Sequence, residues 1–142
     1  MSKIAVVYWS GTGNTEAMAD LVANAAQSAG ATVDKMTSAE FNAADAANYD
    51  GFALGCPAMG AEQLEESEFE PMYQDLRGSL SGKPVGLFGS YGWGDGEGIR
   101  TWAEDAQAAG ARLVADPVMA NGAPDGDATD ACNALGTALA NA

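Results

Sequence analysis

A chain of 142 residues, 47% hydrophobic and 18% charged, has the size and composition of one compact domain, residues 1–142, that needs no metal or disulfide to fold. Twenty acidic residues against six basic ones give a formal charge of -14, which repels phosphate backbones and anionic lipid, and no apolar run approaches the roughly 20 residues of a membrane span. Nucleic acid and membrane are therefore excluded as expected partners, and the absence of histidine excludes an imidazole base, a histidine triad and a histidine zinc site.

Residues 4–9 form a near-continuous apolar run, as in a strand covered on both faces of a parallel sheet. The run ends in Ser10-Gly11-Thr12-Gly13-Asn14-Thr15. From 16 to 29 apolar residues recur at helical spacing, and Gly30 stands where a helix ends. Residues 31–36 read as a second strand, 38–47 as a short helical connection and 51–56 as a third strand closed by Pro57. A loop over 58–66 precedes a helix over 70–80, whose first turn tolerates Pro71. Residues 84–90 make a fourth strand, 91–98 a glycine-dense loop and 99–109 a helix before Gly110. A fifth strand over 112–118 and a last helix over 128–140 complete the chain. The repeated β-α alternation predicts an α/β protein, a single parallel sheet with helices on both faces and right-handed crossovers. Thirty alanines shrink the helices' contact area, so aromatic and branched residues on the strands are expected to supply much of the core.

Met1-Ser2-Lys3 leads into the first strand without the apolar core of a signal peptide, which points to a cytoplasmic, reducing location with Cys56 and Cys132 packed as thiols. The two cysteines form no C-x-x-C, so an iron–sulfur cluster or cysteine-rich zinc site held by this chain alone is excluded, and no metal is expected. Redox work would need a borrowed cofactor.

Ligands of open α/β sheets bind beyond the carboxyl ends of the strands, where the winding reverses. The loops after strands one, three and four are the unusual ones. Ser10, Gly11, Thr12, Gly13, Asn14 and Thr15 lead from a strand into a helix, where backbone N–H groups, hydroxyls and an amide converge on an anion. The loop lacks the lysine of a Walker A motif and the spacing of G-x-G-x-x-G, so it suits a retained monoester phosphate better than phosphoryl transfer; the competing reading is a plain tight turn. Trp93 lies in a loop too polar to bury it, and Met59 in the facing loop pairs a thioether with an aromatic. An aromatic ligand between them fits, and packing on a neighbouring helix is the alternative.

Four segments resemble the flavodoxins, and among them the short-chain clostridial type: Tyr8-Trp9-Ser10-Gly11-Thr12-Gly13-Asn14-Thr15-Glu16, Leu54-Gly55-Cys56-Pro57-Ala58-Met59-Gly60, Leu64-Glu65-Glu66-Ser67-Glu68-Phe69-Glu70-Pro71 and Leu87-Phe88-Gly89-Ser90-Tyr91-Gly92-Trp93-Gly94-Asp95-Gly96. The likeness spans nearly the whole chain. It implies a flavodoxin-like three-layer α/β/α sandwich with a five-stranded parallel sheet of order 2-1-3-4-5, and FMN as cofactor. Ser10, Gly11, Thr12, Gly13, Asn14 and Thr15 would hold the FMN phosphate. Pro57, Ala58, Met59, Gly60, Ala61 and Glu62 would line one side of the isoalloxazine, with Glu62 bonded near N3 and the Met59–Gly60 carbonyl turning toward N5. Ser90, Tyr91, Gly92, Trp93 and Gly94 would line the other side, with Trp93 stacked on the ring. Ala61 departs from relatives that have a polar or acidic residue there.

The resemblance further implies a low-potential carrier that shuttles single electrons between semiquinone and hydroquinone without a catalytic residue or substrate turnover of its own. Its partners would be flavodoxin or ferredoxin reductases and low-potential oxidoreductases with basic faces, met by Glu62, Glu65, Glu66, Glu68 and Glu70 on a monomer. That acidic run also reads as a solvated helix start. The alternatives are an FMN-dependent NAD(P)H or quinone oxidoreductase, a flavodoxin-like activator dedicated to one partner, and a flavin-free phosphate-binding domain.

Overall fold

The computed structural model describes residues 3–9, 13–56, 68–91, 97–121 and 126–142, the side chains of 91, 97, 98 and 121 excepted. In chain order it contains β1 (Lys3–Tyr8), α1 (Asn14–Ser28), β2 (Thr32–Thr37), a 3-10 turn (Ala43–Asn48), β3 (Gly51–Gly55), α2 (Phe69–Arg77), β4 (Pro84–Tyr91), α3 (Glu97–Ala108), β5 (Arg112–Leu113), β6 (Val118–Asn121) and α4 (Gly126–Asn141). The strands pair in parallel in the order β2-β1-β3-β4-β5, with β6 also on β4. This is the sheet order 2-1-3-4-5 that the resemblance implies.

Two elements differ from expectation. The fifth strand is split: Leu113 pairs with Val85 and Val118 with Phe88, so residues 114–117 span a stretch where β4 has only Gly86 and Leu87. Pro117 has no N–H to give a ladder, and the extra residues bulge. The connection over 38–47 forms no α-helix but a 3-10 turn, opened by Asn42, whose side-chain oxygen accepts from the Ala44 N–H at 2.9 Å. Asparagine competes with helical backbone in this way.

Strand alternation sorts the core into two layers. Ala5, Val7, Phe52, Leu54, Val85 and Leu87 face α2 and α3, whereas Ile4, Val6, Ala53 and Phe88 face α1 and α4. The aromatic content is uneven. On the α2–α3 side the helices themselves supply it, with Trp102 edge-on to Phe69 and Tyr73 at centroid distances of 5.3 and 5.8 Å. On the other side α1 and α4 meet through small residues, and a Cβ at Gly136 would stand 2.3 Å from the Val22 carbonyl oxygen. Strands carry the bulk there, as the alanine content predicts. Cys56 and Cys132 are both buried, and burial pushes the Cys132 thiol up to about 11. Among the described residues, no helix is long and apolar enough to cross a membrane.

Among the described residues, three tyrosines donate to carboxylates: Tyr8 to Glu16 at 3.0 Å, Tyr49 to Asp34 at 2.9 Å and Tyr73 to Asp105 at 2.8 Å. Desolvation first, then the carboxylate, pushes Tyr8 and Tyr49 up to about 12 and raises Tyr73 as well. A phenol whose folded-state value lies above its unfolded one stabilises the fold below about pH 10 and loses that contribution as pH rises through the folded value. Alkaline titration followed by tyrosinate absorbance is therefore expected to lag behind that of the urea-unfolded chain, with stability falling over the same range. Coincident curves would overturn this.

Candidate functional site

The carboxyl ends of four strands are held in step. The Ser38 N–H donates to the Tyr8 carbonyl at 2.8 Å, the Trp9 N–H to the Gly55 carbonyl at 2.9 Å and the Cys56 N–H to the Phe88 carbonyl at 3.1 Å. These bonds continue the ladders past β1 and β3, so the segments that leave the two strands start level with each other. Gly89 permits the closest approach, because a Cβ there would lie 2.1 Å from the Cys56 carbonyl oxygen. The winding reverses at β1, with β2 on one side and β3 and β4 on the other. A crevice for a ligand opens at such a point.

The N-terminus of α1 is aimed into this end of the sheet. Its N-cap, Gly13, is left-handed at φ 91°, and its carbonyl accepts the first helical bond from the Ala17 N–H at 3.0 Å. An L side chain at this φ costs about 1–2 kcal/mol. Glycine also brings no side chain to cap the first turn, so the partial positive charge of the helix start is offered outward. Thr15, in that first turn, is buried against Ser90 near the end of β4, with the two hydroxyl oxygens 3.2 Å apart.

Beside this pole lies a cleft of about 350 Å³ lined by Tyr8, Trp9, Gly13, Glu16, Thr37 and Glu68. Glu16 is exposed and engaged by the Tyr8 phenol, and Lys35 pairs with Asp20 one turn further along α1. Among the described residues, the donors at the helix start are the Thr15 and Ser90 hydroxyls and backbone N–H groups, a set of the kind that can hold a phosphate.

Of the expected site residues, Gly13, Asn14, Thr15 and Ser90 are placed together here, Asn14 half-buried beside Thr15, and the Tyr91 backbone closes β4. Ser10, Gly11, Thr12, Pro57, Ala58, Met59, Gly60, Ala61, Glu62, Gly92, Trp93 and Gly94 lie outside the described residues. Sequence reasoning missed the Tyr8–Glu16 pair and the spacing role of Gly89. Glu16 in the first turn of a helix that follows directly on the Tyr8 strand was the available signal for the pair. A glycine inside an apolar strand marks close backbone approach, which was the signal for Gly89.

The family model for flavodoxin matches residues 6–136. The flavodoxin of Megasphaera elsdenii is 46% identical over 139 residues, covering 98% of this chain and 99% of that protein. The flavodoxin of Clostridium beijerinckii is 44% identical over 136 residues, covering 96% and 98%. The solution structure of two-electron reduced Megasphaera elsdenii flavodoxin superposes with a TM-score of 0.90 over 98% of this chain and 99% of that one, at 46% identity.

Proposed function

Because the chain belongs to the flavodoxin family of small FMN-binding electron-transfer proteins, we propose that it anchors the FMN phosphate through Ser10, Gly11, Thr12, Gly13, Asn14 and Thr15. Residues 57–62 and 90–94 then flank the isoalloxazine. The observation that carries this reading is the glycine-capped N-terminus of α1, directed at the winding reversal with the buried Thr15 and Ser90 hydroxyls beside it.

The residues fit the cofactor. FMN ends in a monoester phosphate, which accepts hydrogen bonds and carries negative charge, and the helix start offers donors and positive potential without a competing side-chain cap. FMN supplies one-electron chemistry when bound. The chain's own task is to hold it, exclude water and leave an edge open to a partner. No residue has to act as acid or base, in keeping with the lack of histidine. The full-length relatives support a carrier rather than an NAD(P)H or quinone oxidoreductase. In this reading the protein is a single-domain cytoplasmic monomer without turnover of its own. It passes electrons to reductases and low-potential oxidoreductases whose basic faces complement its charge of -14.

The test is titration of the apoprotein with FMN and with riboflavin, which lacks the phosphate. Hydrogen bonds to a charged group contribute about 1.5–3 kcal/mol each. FMN is therefore expected to bind at least about a hundredfold more tightly than riboflavin. Thr12→Ala and Asn14→Ala are each expected to lose about 1–3 kcal/mol with FMN alone. Equal affinity for the two flavins would overturn the anchor.

A further inference from the structure

We propose that Ser90 is a positioning residue for the phosphate anchor: it donates its hydrogen to the Thr15 hydroxyl, which thereby points its own hydrogen at the anion held by the α1 N-terminus. This inference rests on the FMN reading above and gives the Ser90 hydroxyl a task beside that segment's place at the flavin ring. Alternation along β4 supports it. A Cβ at Gly86 would meet Leu135 of α4, and Phe88 packs in the α1–α4 layer, whereas the Cβ direction at Gly89 leads to Ile99 of α3. Ser90 therefore faces the α1 layer, where its oxygen lies 3.2 Å from that of Thr15.

The two hydroxyls are 1% and 6% exposed as residues, so bulk water does not reorient them. Each has one hydrogen to donate, and one of the two hydrogens lies between the oxygens; by geometry alone, either atom is the donor. A phosphate dianion accepts and never donates, which breaks the symmetry. Thr15 must give its hydrogen to the anion, and Ser90 must then give its own to Thr15. Each bond polarises the next in such a chain. The donor is fixed by the sheet, since Ser90 pairs with Ala120 of β6 and, two residues earlier, the Phe88 carbonyl holds the Cys56 N–H at 3.1 Å.

The experiment compares FMN and riboflavin affinity for wild type, Ser90→Ala, Thr15→Val and the double variant, with urea unfolding of each apoprotein. Loss of one relayed bond is expected to weaken FMN binding by Ser90→Ala about tenfold more than it weakens riboflavin binding and to add little in the Thr15→Val background. Ser90→Cys retains the volume with a weaker donor and is expected to fall between wild type and alanine, which carries the test if Ser90→Ala does not fold. An equal loss for both flavins, no loss for FMN, or full additivity in the double variant would overturn the role of Ser90. A wild type without FMN preference would instead overturn the phosphate anchor itself.

Discussion

Replacing Gly89 by alanine is expected to destabilise the apoprotein by about 3 kcal/mol, the upper range for forced overpacking, and to abolish tight FMN binding. The added methyl would sit 2.1 Å from the Cys56 carbonyl oxygen and 3.0 Å from its carbon, with Ile99 at 3.1 Å behind. Two of those atoms are backbone and cannot rotate aside. Relief requires β3 and β4 to part at their carboxyl ends, which breaks the 3.1 Å bond from the Cys56 N–H to the Phe88 carbonyl. The two segments proposed to flank the ring both leave from this place, so their points of departure move apart with it. Gly78 is the control: it is right-handed at φ -67°, and nothing lies within 4 Å of a Cβ there. Alanine at 78 is expected to be neutral or to add up to about 1 kcal/mol through the unfolded state. Urea unfolding and FMN titration of both variants read the contrast, and a Gly89→Ala protein as stable as wild type would show that this approach does not set the strand spacing.

With a basic redox partner, electron transfer is expected to slow about tenfold or more as ionic strength rises through roughly 0.1 M, where the screening length falls to about 10 Å. The charge of -14 on 142 residues gives a long-range field. Its local source next to the site includes Glu16 and Glu68, both exposed on the cleft beside the α1 N-terminus. Replacing Glu65, Glu66 and Glu68 together by glutamine is expected to flatten the salt dependence while FMN stays bound. Stopped-flow measurement over a salt series decides the matter. A rate indifferent to salt would leave the acidic run as solubilising surface alone.

The strands were legible because a strand covered on both faces reads as an unbroken apolar run, and β1, β3 and β4 fall where those runs lie. The edge was less so. An edge strand needs pairing on one side only, so Asp116-Pro117 interrupts it without ending its contact with β4. Strand order is not a local property; it depends on where each crossover returns, and the β-α alternation alone left it open until the family resemblance supplied it. At the site, Gly13 and Thr15 were readable from turn and helix-start chemistry. The partner of Thr15 was not, because Ser90 lies 75 positions away and only the fold brings them together. Alternation from Phe88 does place Ser90 on the α1 face, once β4 is known to lie beside that helix.

Both margins of the sheet are poor templates for strand addition by another molecule. On one side β2 carries Asp34 and Lys35, the first engaged by the Tyr49 phenol and the second paired with Asp20. On the other, residues 114–117 break the rhythm of the outermost ladder between β5 and β6, and Pro117 offers no amide hydrogen. Charge, proline and bulging are the means by which sheet margins resist intermolecular pairing and amyloid-like growth. A concentrated solution of the chain is therefore expected to stay free of self-templated fibres.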